Sequence, residues 1–294
     1  MKRLGNFLML LLVLCFAAML SVGCKNEEEE NGENSGNEVI DPNALVIDSI
    51  YDYGYKNRKD IESIVISNSV LVINDSAFRE CTNLKSVKIG KNVSKIERFA
   101  FSGCTSLESI DIPDGVKSIG IYAFYECTSL KSVKIGENVE YIDFGAFSDC
   151  TSLESIEIPD GVKRIDGPNT FDRGAFAGCS SLKRVKMGKN VLKIGKFAFF
   201  DCTSLESIEI PDGVKSIGEN AFAFCKSIDS ITIPNSVTYI GDNAFYKCDN
   251  LCSVEFDYKE GWHKRINNNE SEQTDVSNNE NNASVLKEGF SLFR

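Results

Sequence analysis

Histidine and tryptophan each occur once in this 294-residue chain, as His263 and Trp262. Hydrolytic catalysis needs a nucleophile, a base within hydrogen-bond reach, and a group that orients the base. No such set can be traced around the single histidine. Eleven cysteines are present, but none lie in a Cys-x-x-Cys pair or a cysteine–histidine cluster, so the usual zinc-ligand spacings are missing. Cations are in deficit, 32 against 43 carboxylates, for a formal charge of −11. No basic stripe is available to neutralise a phosphate backbone, which excludes nucleic acid as a partner. The sequence therefore predicts no enzyme, no metal site and no cofactor.

What the chain does contain is one phrase repeated from Ile61 to Asp257. Its clearest copy runs from Leu107 through Ile110, Ile112, Pro113-Asp114-Gly115, Val116 and Ile119-Gly120 to Ala123-Phe124 and Cys127. The Phe and Cys of the ending recur at 78/81, 101/104, 124/127, 147/150, 176/179, 199/202, 222/225 and 245/248. The step is 23 residues except between Phe147 and Phe176, where it is 29. A fixed period of this size signals a solenoid whose coils bury their apolar faces on one another.

Within a coil, Ile110 and Ile112 alternate with Ser109 and Asp111, which predicts a half-buried strand. Nine such strands, starting near Ile61 and ending near Leu251, would form one short parallel sheet. Pro-Asp-Gly or Gly-Lys-Asn turns the corner. A second extended piece, Val116–Ile119, follows, and the Ala-Phe pair is expected to open a tight, partly helical return. The recurring Phe predicts an aromatic spine, and the recurring Cys a column of packed, unpaired thiols. Cys252 breaks that column and is expected to be the reactive or paired one.

The pattern Leu-x-x-Ile-x-Ile-Pro-x-x-Val-x-x-Ile-Gly-x-x-Ala-Phe-x-x-Cys resembles the BspA-type leucine-rich repeat of bacterial surface proteins, over about two thirds of the chain. The resemblance implies a β-rich right-handed solenoid at the cell surface, associated with adhesion to host matrix proteins or other cells. It carries over no catalytic residue.

Residues 1–23 read as a lipoprotein signal peptide: Lys2 and Arg3, an apolar run from Phe7 to Leu20 too short to span a bilayer, then Ser21-Val22-Gly23-Cys24. The end resembles a lipobox, with Cys24 as the lipid-bearing residue; an ordinary cleavage near Gly23 is the alternative. Residues 24–43 form an acidic tether expected to be disordered. Its run Glu27–Glu30 is either a solvated spacer or resembles a signal that sends lipoproteins to the outer face of the outer membrane. Residues 44–60 are expected to cap the N-terminal end of the stack, and 258–294 its C-terminal end, with Trp262, Val285, Leu286, Phe290 and Phe293 covering the last coil. The Asn-rich middle, Asn267–Asn282, is expected to be an exposed loop.

On the solvent face of the strands, two columns alternate in sign: Lys88, Asp111, Lys134, Glu157, Lys186, Glu209, and three residues earlier Lys85, Glu108, Lys131, Glu154, Lys183, Glu206. Between them runs a serine column broken only by Arg184. The six extra residues of the long step lie in the preceding coil and bring Phe171 and Arg173. They are either a tolerated bulge or a loop on a binding face. The candidate partner-binding residues are therefore Lys183, Arg184, Lys186, Phe171 and Arg173. The expected protein is a monomeric, surface-exposed outer-membrane lipoprotein that binds a protein ligand, a host matrix or cell-surface protein. The alternative is a structural or assembly component of the bacterial envelope.

Overall fold

The computed structural model describes residues 41–165 and 173–293, apart from 258–259, 268–269, 275 and 277–278. The repeat forms a solenoid with two sheets along its length. The first, or front, sheet has one strand per coil, from Ser63–Ile66 to Ser253–Phe256. Leu45–Ile47 pairs parallel with Ser63–Ile66 and adds one strand more than the nine expected. The front sheet also falls into three hydrogen-bonded sections, Leu45 to Lys134, Ser155 to Ile208 and Ser230 to Phe256.

Proline explains where the sections part. At the corner, a backbone N–H reaches the preceding coil: Ser67 N donates to Ile47 O (2.9 Å) and Asp257 N to Ile233 O (3.0 Å). Pro113, Pro159, Pro211 and Pro234 hold this position in their coils and have no N–H to donate. Where the corner residue is Gly136 or Gly188, three or four residue pairs align with the coil before. At Pro113 only Lys88 and Asp111 align. The sections separate at Pro159 and Pro234.

The second extended piece is a sheet in its own right, a departure from the single sheet expected. Two-residue strands from Val72–Ile73 to Tyr239–Ile240 pair parallel in every coil. Each directs one isoleucine inward, fully buried.

Among the described residues the returns contain no helix, contrary to expectation. Seven of the eight spine residues sit between two residues with left-handed backbone, such as Ser76 and Glu80 (φ 56° and 62°) around Phe78, and Phe176 has one, Gly178. Alternate amides then serve alternate purposes. Ala77, Arg79 and Cys81 close turns on Asn74, Ser76 and Phe78, while Ser76, Phe78 and Glu80 donate to Arg98, Ala100 and Ser102 of the next coil. A helix would spend every amide inside its own segment; this ladder ties neighbouring coils together.

The aromatic spine and the packed thiols are as the sequence predicts. The eight phenylalanines are fully buried, with neighbouring ring centroids 5.1–5.5 Å apart and nearly parallel planes. The long step leaves the stack intact, with Phe147 and Phe176 at 5.4 Å. Tyr55 continues it below Phe78 at 5.1 Å, and Tyr53, Tyr55 and Asn57 donate to Asp75, Ala77 and Arg79 as a regular return would. The N-terminal cap is thus a shortened coil.

The C-terminal cap is more ordered than its composition suggests. His263–Asn267 and Glu270–Gln273 form an antiparallel pair, and Leu292–Phe293 fits between the former and Tyr239–Ile240. Helix α1 (Asn279–Lys287) packs on Ser253–Phe256. The expected exposed loop is therefore partly strand and helix, and Asn282 within it is buried, donating from Nδ2 to Val254 O (3.1 Å) and Val276 O (2.9 Å). Trp262 is buried edge-on to Phe256, with centroids 5.0 Å apart.

Candidate partner-binding surface

Strand pairing aligns the front columns as a charge ladder. Lys88 stands opposite Asp111, Asp111 opposite Lys134, and Glu157 opposite Lys186. Each basic row reaches back to the acidic row before it: Lys85 to Glu62 at 2.8 Å, Lys131 to Glu108 at 3.2 Å, and Lys183 to Glu154 at 4.0 Å. Lys186 pairs with Glu157, whose hydrogen bond and charge hold the ammonium above its ordinary pKa. These side chains are exposed, so solvent screens the pairs, which add little to stability and chiefly fix register.

Arg184 lies in the serine column, in register between Ser155 and Ser207. It is exposed and makes no ion pair or side-chain hydrogen bond with a described residue. Its neighbours Lys183 and Lys186 are tied to the preceding coil, which leaves Arg184 as the uncompensated cation of its row.

Arg173 is placed differently. It donates to the Asp149 carboxylate and to Ser148 Oγ (3.4 Å), and its guanidinium lies 5.7 Å from the centre of the Tyr125 ring. Asp149 and Tyr125 belong to the returns of the two preceding coils, so Arg173 clamps its own coil to both. Burial raises the Asp149 pKa, and the Arg173 charge works against that rise. Arg173 contacts the returns and Arg184 stands on the front sheet, and no contact joins them. Phe171 and Cys24 lie outside the described residues.

The repeat cysteines are buried and unpaired, and Cys252 is exposed and unpaired, its Sγ donating to Asp229 O at 3.3 Å. Among the described residues no cluster of His, Cys, Asp or Glu could hold a metal ion. A shallow, solvent-open depression beside the Pro234 joint is lined by Asp212, Lys215, Asn235, Ser236, Thr238 and Asp257.

One feature of the second sheet escaped the sequence pattern. Its strands follow a corner at which two consecutive residues face outward, such as Lys163 and Arg164 or Leu192 and Lys193. The two apolar side chains of each piece, such as Val116 and Ile119, point inward as expected, with the outward pair between them. The signal was present in the repeat, whose polar residues come in pairs at this point.

The chain matches the family model described as BspA type leucine rich repeat region, in six copies over residues 48–173 and 169–293. No protein of curated function matches it. Among solved structures, it is similar to a leucine-rich repeat protein of T. pallidum at 29% identity. That match covers 65% of this chain and 84% of the other, with a TM-score of 0.50. It is also similar to a leucine-rich cell surface protein of Faecalibacterium prausnitzii (24% identity, 78% and 86% covered, TM-score 0.34). A third is the pneumococcal vaccine antigen PcpA (22%, 67% and 62%, 0.37).

Proposed function

Because the chain belongs to the BspA-type leucine-rich repeat family, we propose that it is a bacterial surface scaffold that binds a protein ligand along its front sheet. The observation that carries this reading is Arg184. On a ladder whose basic rows are paired with their neighbours, it is a guanidinium with no ion pair or side-chain hydrogen bond to a described residue, held in register on paired strands. Arginine is enriched at interface hot spots, where truncation costs about 2 kcal/mol or more. Lys183 and Lys186 flank it as positioned charges, and Phe171, on the inserted segment, is a further contact in this reading. The ligand class is a host matrix or cell-surface protein. The protein acts as a monomer, and a lipid on Cys24 fixes it to the outer membrane with the solenoid outward.

The decisive experiment immobilises the protein and compares capture from host matrix extract with capture from bacterial envelope. A host protein bound by wild type and released about 30-fold more readily by Arg184→Ser supports the reading. Capture from envelope alone would make the protein an assembly component instead. For the anchor, Cys24→Ser should release the protein from membranes, and an unacylated mature N-terminus in mass spectrometry would refute it.

A further inference from the structure

On the corner of the second sheet, the two outward columns carry an excess of cations, whereas the front columns balance theirs with carboxylates. Lys95, Lys117, Lys163, Arg164, Lys193 and Lys215 lie in these columns against a single carboxylate, Glu140, in a chain of formal charge −11. Strand register sets Tyr141, Arg164, Lys193, Ser216 and Tyr239 in one line. Beside it, the backbone ladder aligns Glu140, Lys163, Leu192, Lys215 and Thr238, through Lys163 N to Glu140 O, Leu192 N to Lys163 O, Lys215 N to Leu192 O and Thr238 N to Lys215 O.

Part of this charge is spent internally. Glu140 holds Lys163 at 2.6 Å, Glu97 holds Lys95 at 2.6 Å, and Asp143 lies beside Arg164. Lys193 and Lys215 make no ion pair with a described residue. Between the cations stand apolar groups that the scaffold does not need outside: Leu192 is 49% exposed and Tyr141 40% exposed. Leu71 holds the same position in the first coil and is 61% exposed, while the coils between place Ser94, Lys117, Glu140 or Lys163 there, so only at Leu192 does an exposed leucine stand beside the cations.

We propose that this strip docks an acidic, extended segment of a partner protein running along the solenoid axis. Carboxylates would meet Lys193 and Lys215, while apolar side chains between them would cover Leu192 and the flanking tyrosines. Aromatic residues, arginine and a central apolar contact mark protein interfaces, whereas a sulfated polysaccharide would call for cations and hydrogen-bond donors without an exposed leucine. Charge complementarity also favours this location, since the chain carries a formal charge of −11 and its front columns largely neutralise themselves. Four coil steps from Tyr141 to Tyr239 span about 19 Å at ~4.8 Å each. That length fits about six residues of extended chain.

The test uses the full-length protein and a labelled hexapeptide alternating glutamate with leucine and tyrosine, with a lysine-for-glutamate analogue as control. Wild type should bind the acidic peptide in a salt-sensitive manner and ignore the analogue. Lys193→Glu and Leu192→Asp should each weaken binding by at least about tenfold. Arg184→Ser, on the front sheet, should leave it unchanged, so this surface and the front-sheet reading fail separately. Lys193→Gln is the milder variant should charge reversal disturb folding, as judged by circular dichroism. Equal binding by the variants, equal binding of the analogue, or binding of heparin through Lys193 without binding of the peptide would each overturn the proposal.

Discussion

The Sγ of Cys104 donates to the carbonyl of Phe78 in the preceding coil at 3.2 Å, and the same relation recurs from Cys81 on Tyr55 to Cys248 on Phe222. Phe78 O also accepts the amide of Cys81 at 3.2 Å, so removing the thiol leaves no orphaned carbonyl. A Cys127→Ala variant should therefore lose only a weak donor and a small packed volume, about 1 kcal/mol. Chemical denaturation measures this. A loss of several kcal/mol would mean that the thiol carries more than packing.

The same burial sets a pH dependence. Cys127 and Cys248 are pushed up to about 12 from an ordinary 9, chiefly by desolvation. A group whose folded pKa is raised contributes stability fully below its unfolded pKa and loses it as pH rises towards the folded value. Stability should accordingly fall from about pH 9 upward, by about 1.4 kcal/mol per pH unit per thiol. Thermal melts between pH 8 and 11 would show the decline, and Cys127→Ala should soften it. Alkylation of the native protein at pH 8 should label Cys252 and spare the eight repeat cysteines until the protein is denatured.

Proline makes a second set of expectations. The front strands part at Pro159 and Pro234 and stay paired at Gly136 and Gly188. In hydrogen exchange, front-strand amides at the 134/155 and 208/230 joints should be less protected than those at 158/187. Pro234→Gly restores an N–H facing Ile210, worth about 1 kcal/mol, while adding comparable entropy to the unfolded chain. Global stability should barely move, while protection at that joint rises. Unchanged local protection would show that the missing amide is not the cause.

The repeat made most of the fold legible because eight copies average out local accident: spine, thiol column and charge ladder all follow from positions 23 residues apart. Tyr55, 23 residues before Phe78, carried the signal that the N-terminal cap is a coil. The return was misread as partly helical because its left-handed residues are Ser76, Phe99 and Tyr122 as often as Gly145 or Asn243, and only the glycines and asparagines advertise such backbone. The C-terminal cap was illegible for another reason. Its helix is held by Asn282, a polar residue whose burial depends on carbonyls of Val254 and Val276 that no local pattern reveals.

That cap offers a sharp test. Asn282→Ala removes both donors from buried carbonyls and should cost about 2–3 kcal/mol. The loss should be felt first at the C-terminal end, since a solenoid unravels from its weakest neighbour contacts. Deleting 258–294 should go further and cause aggregation by uncovering Leu251, Val254 and Phe256, which are buried in the intact chain. A truncated protein that stays monomeric with an unchanged melt would refute the capping role.

Arg173 and Arg184 break the repeat in neighbouring coils, yet they should behave in opposite ways. Arg184 makes no ion pair or side-chain hydrogen bond with a described residue, so Arg184→Ser restores the column and should change stability by less than about 0.5 kcal/mol. Arg173 holds Asp149, Ser148 and the Tyr125 ring. Arg173→Ala should cost about 1 kcal/mol, a modest figure because the pair is partly exposed to solvent. It should also leave the Asp149 pKa higher still, because burial already raises it and the opposing charge is gone. Carboxyl NMR titration reads that shift directly. If Asp149 titrates alike in both proteins, the clamp is not populated in solution, and Arg173 becomes as free for a partner as Arg184.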